Sequence, residues 1–221
     1  MSRDADRPLS GYTGTERILA FSDGVFAIAI TLLVLNLLPS IDHTSSLVNE
    51  LQVRWPSYVS YVLSFLVIGI IWTNHHQMFT QIKRSNHVFL LINVLFLMWV
   101  AALPFPAALL AQYLGSHNPD ERRGVVVLYA AAFVVGSCLF NLLWWYGIYN
   151  RRLIGDQHDR DTVQRTTWSY FVGPIGYLLD LALAIVSPEA GLALFFGLAI
   201  FYALAPLPGA ARIATRRRAA G

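Results

Sequence analysis

Six stretches of this chain are almost purely apolar and run for roughly 20 residues each, and their length restricts the fold more than any other feature. A helix rises about 1.5 Å per residue, so about 20 apolar residues reach across the ~30 Å hydrocarbon layer of a bilayer. Soluble strands and amphipathic helices would give shorter, alternating runs. Of the 221 residues, 56% are hydrophobic and 13% are charged, against about 25% charged in an ordinary soluble domain. These features predict an all-α integral membrane protein of six transmembrane helices.

The apolar blocks place the spans at about 18–38, 56–79, 88–114, 125–149, 168–186 and 191–207. They lie within one membrane unit, 18–209, between an N-terminal segment, 1–17, and a basic tail, 210–221. Thr15 is placed to cap the first helix and Pro39 to follow it. Pro56 suits the first turn of the second. Pro104 and Pro106 are expected to kink or break the third near its far end. Only Ser187, Pro188 and Glu189 separate the last two, which forces an antiparallel hairpin. The first block is longer than the apolar core of a cleaved signal, so it is expected to remain as the first span.

Charge sets the expected orientation. With the N-terminus inside, the inner segments hold Arg3, Arg7, Arg17, Lys83, Arg84, Arg151, Arg152, Arg160, Arg165, Arg212, Arg216, Arg217 and Arg218. The outer loops hold only Arg54, Arg122 and Arg123. This asymmetry predicts both termini on the cytoplasmic side and an even number of spans. Trp144, Trp145, Tyr146 and Tyr149, just before Arg151, fit an inner aromatic belt. The basic tail reads as a topology anchor near anionic lipid.

Polar residues inside spans are costly and need partners. Asp23 lies in span 1, with Arg17 six residues earlier and too far round the helix for an ideal pair. Span 2 turns polar at its inner end through Trp72, Asn74, His75 and His76, and Trp72 and His76, four apart, share a face. Asn93 enters from the inner end of span 3. Three consecutive spans therefore bring polar groups to one depth, either as a packing cluster or as a functional site. Asp180, in span 5, is either a proton or ion ligand or one partner of an interhelical hydrogen bond near the outer half, and the hydrogen bond is the favoured reading. On another face of span 1, Ile28, Thr31, Leu32 and Leu35 fall within about a 100° arc, well away from Asp23.

Several classes are set aside. The single cysteine, Cys138, excludes an internal disulfide and a cysteine zinc site. Adjacent His75 and His76 diverge by about 100° on a helix, so no metal site is expected. The net charge of +3 sits at the edges of apolar blocks, without the basic, aromatic-interleaved stripe of a nucleic-acid binder. There is no Walker loop, no GxSxG, no GxGxxG, no TVGYG filter and no helix with regularly spaced arginines.

The run Arg17-x-x-x-Phe21-Ser22-Asp23-Gly24, followed by an apolar helix with Thr31, resembles the first-helix signature of the transmembrane protein 175 family of potassium-permeable channels. Trp72, His75-His76 and Pro104-Phe105-Pro106 are similar to its pattern too; spans 4 to 6 match only in number and length. The resemblance implies a homotetramer of six-helix units with span 1 lining a central pore. It puts a hydrophobic constriction at Ile28, with Thr31 and Leu35 on the next pore-facing turns. It also implies that the signature residues Arg17, Phe21, Ser22 and Asp23 belong to one structural polar network with Trp72, His75, His76 and Asn93, in which Arg17, Ser22 and Asp23 pack with Trp72 and a span 2 histidine, with His76 favoured.

The expectation is a potassium-preferring cation channel of the cell membrane, with potassium as permeant ion and no cofactor, metal, catalytic residue, nucleic acid or small-molecule substrate. Its partners would be other copies of itself and membrane lipid. A proton channel of the same fold, a transporter with a polar site at the inner ends of helices 1–3, and a non-conducting scaffold are the rivals.

Overall fold

A computed structural model describes residues 13–37, 47–149, 153 and 160–204. The expectations for Pro39, Arg151 and Arg152, the N-terminal arginines and the basic tail lie outside the described residues. Helix α1 (Glu16–Leu32) runs on as a 3-10 segment, Leu33–Leu37. A short helix α2 (Leu47–Val53) precedes α3 (Trp55–Gln81). Next come α4 (His87–Ala102), α5 (Pro104–Tyr113), α6 (Pro119–Tyr149), α7 (Arg160–Val186) and α8 (Pro188–Leu204).

Among the described residues, five helical segments are long and apolar enough to cross a membrane, and α8 supplies a shorter apolar helix, Pro188–Ala203. The chain is an all-α membrane protein. α4 and α5 form one 27-residue segment broken at Leu103, where Pro104 cannot donate a backbone hydrogen bond. Pro174, by contrast, lies inside α7 without ending it.

The helix ends sort into two sets. At one end, β1 (Thr13–Gly14) pairs antiparallel with β2 (Arg84–Ser85), in the turn between α3 and α4. The expected cap at Thr15 is not made: its hydroxyl donates instead to the Ile82 carbonyl, 3.2 Å away. That carbonyl lies just past the end of α3, so the bond ties two chain segments together rather than closing one helix end. The Lys83 N–H donates to the Leu153 carbonyl at 2.9 Å, and Leu153, beyond α6, is fully buried. Asn86 caps α4 through the Phe89 N–H and donates to the Tyr146 hydroxyl of α6. At the opposite end, Ser116 and Asn118 order the turn into α6. There Arg122 of α6 stands 3.7 Å from Glu189 of α8, an exposed pair of the kind that contributes little.

α7 packs between α6 and α8, and α1 lies against α3 and α4. The core is aromatic. Tyr129, Phe133, Tyr177 and Phe195 contact one another where α6, α7 and α8 meet. A second cluster, including Met78, Phe89, Trp144 and Tyr170, fills the end nearer the ribbon. Among lipids, helices gain little from burying apolar surface, so close packing and hydrogen bonds have to join them. Gly136 shows the close packing: it lets the Trp99 ring lie against the α6 backbone, where a Cβ would occupy the same space, while Trp99 Nε1 donates to the Ala132 carbonyl at 2.8 Å.

Gly136→Ala forces the rigid indole aside and is expected to cost about 1–3 kcal/mol. Gly69→Ala, where a Cβ meets nothing within 4 Å, is expected to be neutral or stabilising by up to about 1 kcal/mol. Thermal unfolding of both variants in one detergent checks the contrast; equal melting would show that the indole contact is not tight.

Candidate functional site

α1 carries two opposed faces. Ser22, Phe26, Ala29 and Leu33 are buried, spaced four, three and four residues apart, so they form one stripe. That stripe meets α3 and α4. The other face is bare in the single chain: Phe21 and Ile28 are each 62% exposed, Leu32 41% and Leu35 53%. Thr31 shares this face, and its hydroxyl donates to the Ile28 carbonyl at 2.9 Å. The hydrogen of Thr31 is thus committed to its own helix, and its oxygen lone pairs remain available outward.

Behind the buried stripe, three helices share polar groups. His75 Nε2 of α3 lies 3.0 Å from Asn93 Oδ1 of α4. Asn93 Nδ2 donates to Ser22 Oγ of α1 at 3.3 Å, and Ser22 donates to the Ile18 carbonyl at 2.8 Å. Since Asn93 Oδ1 only accepts, His75 must carry its proton on Nε2. Its Nδ1 is buried without a partner. The ring stacks nearly parallel on Phe96 (5.5 Å, 6°) and touches Phe26 and Phe79. Ser22, His75 and Asn93 are each at most 1% exposed.

A second, outer link joins the same helices. Trp72 Nε1 of α3 donates to Asp23 Oδ1 of α1 at 2.8 Å. Trp72 is 39% exposed, so this bond faces outward where the first chain is sealed. The Asp23 carboxylate therefore finds a donor on span 2, not on Arg17.

Four expectations need correction here. His76, favoured for the polar cluster, is exposed with its ring 5.8 Å from Trp72, while His75 makes the buried hydrogen bond. The two histidines point about 100° apart on α3, so only one can face α4. Arg17 is exposed and forms no ion pair among the described residues. Phe21 stands on the bare face with Ile28, away from the cluster. Asp180, read as one end of an interhelical hydrogen bond, is 1% exposed with both carboxylate oxygens lacking any partner. Sequence reasoning also missed the aromatic cage of Phe26, Phe79 and Phe96. Two signals were there to be read: Phe26 stands four residues after Ser22, and Phe79 four after His75, so each shares a face with its polar neighbour. Among the described residues, no three His, Cys, Asp or Glu side chains come together as a metal set.

A polytopic helical membrane protein with a sealed polar cluster behind one helix keeps that helix's opposite, apolar face for lipid or for another copy of the chain. Residues 17–104 match the family model described as endosomal/lysosomal potassium channel TMEM175. The chain is 40% identical over 205 residues to a potassium channel of Streptomyces collinus, covering 92% of this chain and 97% of that one. It is 44% identical over 193 residues to a potassium channel of Chamaesiphon minutus, covering 86% and 94%. The crystal structure of a lysosomal potassium-selective channel TMEM175 homolog from Chamaesiphon minutus superposes with a TM-score of 0.76 at 41% identity, covering 86% of this chain and 96% of that one. The chain belongs to the TMEM175 family, a family of ion channels. The human endosomal/lysosomal proton channel TMEM175 is 30% identical over 177 residues, which cover 76% of this chain and 32% of the human protein.

An interhelical hydrogen bond within a membrane contributes about 1 kcal/mol, but a buried polar group stripped of its partner costs several. Asn93→Leu strands His75 Nε2 and removes the bond that Ser22 Oγ accepts, while the Ser22 hydroxyl keeps Ile18, and is expected to lower stability by about 2–4 kcal/mol. Trp72→Phe breaks only the outer bond and leaves the rest of the cluster paired, and is expected to cost less, about 1–2 kcal/mol. Unfolding of the two variants in the same detergent checks the ranking; a larger loss from Trp72→Phe would show that the outer bond is the main tie.

Proposed function

We propose that this chain is the subunit of a homotetrameric, potassium-preferring cation channel whose α1 helices surround a central pore. The observation that carries the reading is the bare face of α1. Phe21, Ile28, Thr31, Leu32 and Leu35 lie on one side of a helix whose other side is sealed, in a chain 40% identical along nearly its whole length to a named potassium channel. Four copies of Ile28 would form an apolar constriction that closes by dewetting. Thr31, one turn on, would offer its free lone pairs in place of part of an ion's hydration shell. Potassium gives up water more cheaply than sodium, so a narrow, weakly coordinating ring favours it.

Ser22, Asn93 and His75 would act as the fixed backing of the pore helix, with Trp72–Asp23 as its outer brace. The unequal distribution of Lys and Arg supports both termini on the cytoplasmic side of a multi-pass cell-membrane protein. No cofactor or catalytic step enters this reading. Proton conduction is the second reading, favoured by one observation: the 30%-identical human relative is named a proton channel.

The test is cation flux through purified protein in liposomes, with potassium or sodium as the only permeant cation, for wild type beside Ile28→Asn. The expected result is rapid flux favouring potassium, with the variant leaking more and discriminating less. Flux from verified oligomers that ignores Ile28 would remove α1 as the lining. A reversal potential that follows the pH gradient instead of the potassium gradient would select the proton reading.

A further inference from the structure

The Asp180 carboxyl of α7 is sealed inside the bundle. It is 1% exposed, and both of its oxygens are buried without a hydrogen-bond partner among the described residues. Tyr177, Asp180 and Ala184 share one face of α7, and α7 packs between α6 and α8. Neither neighbour brings a charge to this depth. α8 is apolar from Ala190 to Phe201, with Glu189 and Tyr202 towards its two ends. α6 brings Tyr129, whose hydroxyl is paired with Ser64 of α3 at 3.0 Å. Arg122 and Arg123 lie about 9–11 Å further along α6, at the end opposite the ribbon. Tyr177 is the other titratable group in electrostatic reach. No charged group among the described residues offsets the burial of Asp180. One turn on, α7 and α8 are pressed together: a Cβ at Gly191 would stand 2.9 Å from the Ala184 Cα.

We infer that Asp180 is a proton-binding site, and that α6, α7 and α8 keep this close packing only while the site is loaded. The surroundings select the ligand. A bare carboxylate sealed among apolar groups costs far more than a neutral carboxyl. A metal cation needs several ligands, and no three His, Cys, Asp or Glu side chains come together among the described residues. A proton needs the carboxyl alone. Loaded, Asp180 is uncharged and the three helices close over it. Unloaded, its carboxylate must reach water or a cation, and the end of α7 at Val186 is about 9 Å away. Reaching that end means parting α7 from α6 or α8. The site is thus a latch that rising pH releases. It lies away from the bare face of α1 and does not depend on which ion the channel conducts.

Linkage gives the direction. Above the ordinary carboxylate range the unfolded chain has Asp180 ionised, while the folded chain holds one proton more. Stability therefore falls as pH rises, until the folded site empties. One proton corresponds to about a tenfold rise in the unfolding constant per pH unit.

The experiment uses the full chain, wild type beside Asp180→Asn. Infrared spectra of the protein in lipid at neutral pH are expected to show the carbonyl band of a protonated carboxylic acid in wild type and to lack it in the variant. Unfolding in one detergent, from mildly acid to mildly alkaline pH, is expected to steepen with pH in wild type by about tenfold per unit relative to the variant. Should Asp180→Asn fail to fold, wild type made with isotope-labelled aspartate decides, because the label shifts the band only if an aspartic acid carries it. No protonated band in wild type, a band that Asp180→Asn leaves in place, or one that the label does not move would overturn the proton site. Equal pH slopes in the two proteins would overturn its coupling to the packing of the three helices.

Discussion

The chain of hydrogen bonds from the Ile18 carbonyl through Ser22 and Asn93 to His75 is what the rest of the bundle is arranged around. In water, three polar side chains could each find solvent in another conformation. In a bilayer they cannot, and an unpaired member costs several kcal/mol. The penalty therefore fixes more than an energy. It fixes which face of α1 turns toward α3 and α4, because only one rotation of α1 puts Ser22 within reach of Asn93. Phe26, Ala29 and Leu33 follow Ser22 into the core on the same stripe. The apolar groups alone would not choose so sharply, since lipid tails accept either face of an Ile- and Leu-rich helix.

The aromatic residues make the cluster rigid. His75 is held on three sides by Phe26, Phe79 and Phe96, and Phe96 is itself packed by Trp99 and Phe140. Trp99 reaches across to α6 only because residue 136 is glycine. α1 is thus connected to the α6–α8 half through rings in van der Waals contact. At the ribbon end, Thr15, Ile82, Asn86, Tyr146 and Leu153 tie the start of α1, the α3–α4 turn and the chain beyond α6. The helices are joined by polar links at this end and by rings along their length.

The helical, membrane-spanning character was legible because it rests on block length, which physics reads almost directly. The break at Leu103 was legible from Pro104. Asp23, Trp72, His75 and Asn93 were visible as polar residues at one depth, since polarity in an apolar block stands out. Which of them touch was not visible. His75 and His76 have the same chemistry, and only the rotation of α3 separates a buried ligand of Asn93 from an exposed neighbour of Trp72. The Thr13–Gly14 ribbon and helix α2 were missed for another reason: two residues and seven are too few for a periodicity to stand out. Asp180 was read as hydrogen-bonded on a rule that buried polar groups have partners; it is an exception, with both oxygens unpaired.

The two faces of α1 divide the work of fold and site. Ile28 and Thr31 stand about half a turn from Ser22 and Phe26, so a change on the bare face leaves the sealed cluster intact. The converse does not hold. Loosening Ser22 or Asn93 frees the helix to rotate, and a rotation of 100° would exchange Ile28 for a neighbouring residue on any surface it lines. In a pore built from four such helices, each carrying one constricting side chain, that rotation would open or block the path without altering a pore residue. Hence the buried hydrogen bonds would set the geometry on which the proposed constriction at Ile28 depends.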